Sequence, residues 1–113
     1  HEDNNWMIAP NDHRPDVGAL AAAITTSTKV KPKFIGKPNI EMINAFTRRL
    51  GVDKTKVAIV GDRLNTDIRM GYDNDILSFL VLSGKTKADE VENSPYLPSY
   101  VVEKTVDILK LLD

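Results

Sequence analysis

The chain has 113 residues, 42% of them hydrophobic and 27% charged, with fifteen basic against sixteen acidic residues and a net charge of −1. This suits a single small globular domain over 1–113, and it argues against a nucleic-acid surface, which needs a local excess of Lys and Arg. With no cysteine, disulfides and thiolate chemistry are excluded, and with no apolar run near the roughly 20 residues that span a bilayer, a cytoplasmic protein with no membrane partner is expected.

The chain opens on His1 in a polar stretch, as a processed product or a fragment would. Trp6-Met7-Ile8-Ala9, ended by Pro10, predicts a short buried strand, and Asn11 to Pro15 reads as a loop. Asp16 can cap a helix over Val17–Thr28, with Leu20, Ala21 and Ile24 at helical spacing and a frayed end at Thr25–Thr28. Lys33-Phe34-Ile35 predicts a second strand closed by Gly36, and Trp6 and Phe34 are expected in the core. After Asn39, residues Ile40, Ile43, Phe46, Thr47 and Leu50 share one helical face that stops at Gly51. Asp53 to Lys56 is a turn. The unbroken run Val57-Ala58-Ile59-Val60 predicts a central parallel strand buried on both faces.

Gly61-Asp62 ends that strand, and Asn65 or Thr66 caps a short helix through Tyr72. Ile76–Leu82 predicts another buried strand, Lys87–Val91 one helical turn, Tyr100–Val102 a last strand, and Val106–Leu112 a closing helix. Strands alternating with helices imply an α/β fold, a three-layer Rossmann-like parallel sheet with helices on both faces.

Ligands of such sheets bind at the carboxyl ends of strands. Two charged loops lie there, Gly36-Lys37-Pro38 and Gly61-Asp62-Arg63-Leu64-Asn65-Thr66-Asp67-Ile68. Two carboxylates at one strand end, Asp62 and Asp67, repel unless a cation or a lysine intervenes, and magnesium takes a few carboxylates plus water and phosphate. Spacing alone is equally well met by a turn aspartate and an acid at a helix N-terminus. Lys37 by itself reads as a solvated lysine. Ser83-Gly84-Lys85-Thr86 fails as a nucleotide P-loop, because position 79 is Phe where a glycine is required. His1 and His13 lack the further ligands of a zinc site.

Together the two loops say more. A Gly-Lys-Pro strand end followed by strand-Gly-Asp-x-x-x-Thr-Asp resembles the haloacid dehalogenase superfamily. It resembles most its branch with a large inserted cap, which includes nitrophenylphosphatase-like, phosphoglycolate and pyridoxal phosphatases. Asp16–Ile24, Phe79–Thr86 and Pro98–Val102 extend the likeness across nearly all of the chain from Asp16. The resemblance implies the C-terminal portion of the core of a Mg²⁺-dependent phosphatase acting on a small phosphorylated metabolite through an aspartyl-phosphate intermediate. It makes Lys37 the residue that holds the phosphoryl group and orients the nucleophile. Asp62 becomes the metal ligand, and Asp67 the second acid, supporting the lysine and the metal shell. Asn65 is implied as a substrate contact, and Arg63 and Asn65 as neighbours of the ligand shell.

The family's first motif, Asp-x-Asp-Gly after a strand, has no counterpart. Asp3 and Asp12 are the acids near the start, and neither follows a suitable apolar run. The second-motif loop and the cap have no counterpart either. The expected partner is therefore an N-terminal half of the same protein, and a chain lacking it should expose apolar faces and associate, for instance as a homodimer. The alternative is a noncatalytic module of the same fold.

Overall fold

The computed structural model describes residues 1–111. Its elements are β1 (Asn5–Ala9), β2 (Asp12–Pro15), α1 (Val17–Thr28), α2 (Glu41–Leu50), β3 (Ala58–Gly61), α3 (Arg69–Tyr72), β4 (Leu77–Val81), α4 (Ala88–Val91) and β5 (Tyr100–Val102). Single 3₁₀ segments cover Lys54–Lys56 and Thr105–Leu111, and a π-helical turn covers Leu64–Ile68. The end of the expected closing helix, at Leu112, lies outside the described residues.

Strands β3, β4 and β5 form a parallel sheet in that order. The fold is therefore α/β with parallel strands, as expected, but the centre is β4 rather than β3. Ser78 to Val81 are all buried, on both faces of the sheet. Strand β3 is an edge among the described residues. Ile59 is buried, while Ala58 and Val60 face solvent. The apolar run Val57–Val60 correctly marked a strand, but an edge position leaves half of it uncovered. Leu80 and Ile68 are fully buried, and Phe79 stacks on Tyr100, its registered neighbour, with ring centroids 5.2 Å apart. Ile43, Ile59, Met70 and Ile76 form the core that joins α2 and α3 to the sheet, with Ile40 packed against it.

Helix boundaries follow local chemistry. Asp16 caps α1, its carboxylate accepting from the Val17 N–H at 2.7 Å. The threonines at its end do not fray it. Thr25, Thr26 and Thr28 donate their hydroxyls to Ala21, Ala22 and Ile24 carbonyls one turn back. Gly51 ends α2 at φ 64°, the left-handed conformation that glycine adopts without a Cβ clash.

Two expectations at the N-terminal side fail. Residues 12–15 are not a loop. They pair antiparallel with β1 through a turn at Asn11, φ 66°, where an Asn side chain tolerates positive φ. The hairpin is exposed along its length, so Trp6, at 60% exposure, is not core. Phe34 is only half-buried. Lys33–Ile35 is not a strand, because no neighbouring strand takes up its backbone groups among the described residues. Lys33 instead pairs with Glu41 at 2.6 Å.

Candidate functional site

The two charged loops meet at the carboxyl end of β3. The π-helical turn sets the first half of the site. Ile68 N–H donates to the Arg63 carbonyl five residues back at 3.1 Å, and Asp67 N–H donates to the same carbonyl at 3.1 Å. Neither Asn65 nor Thr66 caps this turn, whose start at Arg63 has no side-chain cap. Wider turns of this kind re-aim side chains and recur at functional sites.

Asp67 is buried, and its Oδ1 accepts from Lys37 Nζ at 2.7 Å across 30 residues of sequence. A buried carboxylate needs such a partner. The lysine is half-exposed, so its remaining donors face outward. Gly61 makes the approach possible, since a Cβ there would lie 2.2 Å from the Asp67 Cβ.

Asp62, the residue after Gly61, is held by the loop that follows β4. Its Oδ2 accepts from the Lys85 N–H at 2.9 Å, and its backbone carbonyl accepts from Thr86 N–H at 3.1 Å. Gly84 is required here, because a Cβ would lie 2.3 Å from that of Asp62. The loop after β4 is thus a cradle for Asp62, a role that the failed P-loop pattern did not reveal. The signal for it was a glycine just past a buried strand, beside the Gly-Asp strand end. Asp62 Oδ1 accepts no hydrogen bond among the described residues. Thr66 Oγ1, buried in the same turn as Asp67, has no hydrogen-bond partner there either.

Asp12 pairs with Arg14 on the exposed hairpin, and Asp3 pairs with Arg63 at 3.1 Å. Asn65 is exposed. It lines a cavity of ≈ 480 Å³ together with Asp3, Trp6, Arg63 and Lys85. His1 lies 3.4 Å from Asp3 and 3.8 Å from Asp16, beside acids already engaged with Arg63 and the α1 start.

A parallel sheet with its acidic and lysine loops gathered at one strand end places the molecule in the α/β class whose sites lie beyond the strand carboxyl ends. Residues 34–108 match the family model described as HAD-hydrolase-like, and the chain belongs to that family. It is 39% identical over 92 residues to a 4-nitrophenylphosphatase of Schizosaccharomyces pombe, covering 79% of this chain and 31% of that protein. A dihydroxyacetone phosphatase of Corynebacterium glutamicum is 30% identical over 105 residues, covering 93% of this chain and 38% of that protein. The crystal structure of a Thermotoga maritima 4-nitrophenylphosphatase superimposes with a TM-score of 0.85 at 35% identity, over all of this chain and 43% of that one. The chain therefore spans well under half the length of these relatives.

Proposed function

We propose that this chain supplies the phosphate-binding lysine and the metal-binding aspartate of a magnesium-dependent phosphatase that acts on small phosphate monoesters. The carrying observation is the Lys37–Asp67 pair at 2.7 Å, its carboxylate in the loop that also carries Asp62, with Gly61 packed on Asp67 and Gly84 on Asp62 where neither admits a side chain. Relatives named 4-nitrophenylphosphatase and dihydroxyacetone phosphatase support the same chemistry.

The residues fit the metal. Asp62 has one oxygen held by a backbone N–H and one free, and a hard carboxylate oxygen suits Mg²⁺. Bound there, magnesium would neutralise charge on the phosphoryl oxygens. Lys37 directs its free donors to those oxygens, and Asp67 fixes where its ammonium stands. Asn65, which lines a cavity with Arg63 and Lys85, would contact the substrate.

The nucleophilic aspartate, which forms the aspartyl phosphate, and the acid–base aspartate come from a segment outside this chain. Three features favour its docking along β3. The outer edge of β3 carries no strand among the described residues, Val60, Met42 and Phe46 are 45%, 40% and 51% exposed beside it, and Thr66 Oγ1 is buried without a partner. The absence of cysteine suits a reducing compartment such as the cytoplasm.

The test is magnesium-dependent hydrolysis of nitrophenyl phosphate by the chain alone and with the N-terminal half added, using Asp62→Asn as control. Activity that needs the added half and is lost in the mutant is the expected result. No activity in either state would leave a noncatalytic module as the better account.

A further inference from the structure

The segment His1–Asn4 has no secondary structure, yet it touches both loops of the site. Glu2 Oε1 accepts from Asn39 Nδ2 at 3.0 Å, two residues beyond Lys37. Asp3 Oδ2 accepts from Arg63 Nη1 at 3.1 Å, one residue beyond Asp62. The sequence separations are 37 and 60 residues, so neither contact follows from local chain geometry.

The backbone between these side chains is fixed. Gly18 N–H donates to the Asp3 carbonyl at 2.8 Å, and Asp16 N–H donates to the Asn4 carbonyl at 3.1 Å. Gly18 is buried, and a Cβ there would lie 2.4 Å from the Glu2 carbonyl oxygen and 2.9 Å from that of Asp3. The same holds at the lysine loop, where a Cβ on Gly36 would lie 2.6 Å from the His1 nitrogen. Two glycines thus let the segment lie flat on the start of α1 and on the Lys37 loop.

We propose that residues 1–4 form a strap that sets the spacing between the Lys37 loop and the Asp62 loop, with Glu2 and Asp3 as positioning residues. The proposal rests on the phosphatase reading above. Its reason is energetic as well as geometric. Both side-chain contacts are at least partly exposed, and contacts of that kind contribute little to stability. A pair of that kind matters through where it holds its partners, and Asn39 and Arg63 lie two residues and one residue from Lys37 and Asp62, the proposed phosphate and metal residues.

The test uses the full-length protein with Asp3→Asn, Asp3→Glu and Glu2→Ala. Removing the Asp3 charge is expected to raise the Mg²⁺ concentration for half-maximal hydrolysis on the order of tenfold, at the lower end of what losing a support of a metal ligand costs. The thermal midpoint should barely move, and Asp3→Glu should recover most of the loss. Glu2→Ala should instead raise KM for nitrophenyl phosphate through the Lys37 loop. An activity-independent reading is hydrogen exchange at the Lys85 amide, which donates to Asp62 and should lose protection in Asp3→Asn. Unchanged Mg²⁺ dependence together with unchanged Lys85 exchange would overturn the strap. If the wild type hydrolyses nothing, the phosphatase reading falls, and the exchange measurement still decides the strap. Glu2 is exposed, so its variant folds and carries the test if Asp3→Asn does not.

Discussion

Lys37 illustrates what a single residue owes to the fold. In the sequence it was an ordinary lysine between Gly36 and Pro38, and only the motif resemblance gave it a role. The structure brings it onto a buried carboxylate 30 residues away. Lys37→Met should therefore leave Asp67 buried and unpaired, costing about 1–3 kcal/mol in chemical denaturation. Hydrolysis should fall by about 10²–10³ in the reconstituted enzyme, as when a pre-placed donor to a developing charge is removed. Gly84 was legible as part of a P-loop pattern that failed and of the Phe79–Thr86 resemblance, neither of which gave it a role. Its substitution by Ala should push Asp62 from its cradle and weaken the Mg²⁺ dependence of activity by about 10–100-fold, read by metal titration. The same titration should leave a distant surface change such as Arg49→Ala unaffected.

At the scale of elements, sequence reading did best where a signal is local. The Asp16 cap, the Gly51 stop and the 3.6-residue spacing of α2 are short-range, and the structure keeps all three. It did worst where an element depends on its neighbour. Lys33–Ile35 has strand composition and no strand to pair with. Asp12–Pro15 has loop composition and is a strand because β1 lies against it. Strand β4 is the opposite case, an apolar run buried on both faces. Leu80→Ala at its fully buried centre should destabilise the fold by about 2–5 kcal/mol, measured by urea denaturation. Leu20→Ala on α1, at 58% exposure, should change stability little by comparison.

The whole molecule is open for its size. Its radius of gyration is 16.0 Å, against about 13 Å for a compact domain of 100 residues. Leu20 and Ile24 on α1 and Val60, Met42 and Phe46 beside β3 are exposed together with this extended shape. Sedimentation of the chain alone should therefore show self-association that grows with concentration, and adding the N-terminal half should suppress it. A concentration-independent monomer would indicate that these faces need no cover. No helix among the described residues is long and apolar enough to cross a membrane. By itself the sequence determined the α/β class, the Asp16 cap, the Gly51 stop and the two charged loops, because caps, glycine stops and hydrophobic periodicity act over a few residues. Only the tertiary structure decided that β3 is an edge, that Lys37 reaches Asp67, that Gly84 cradles Asp62 and that residues 1–4 touch both loops. Those contacts join positions 23 to 60 residues apart, and their distances are set by packing, which no local pattern encodes.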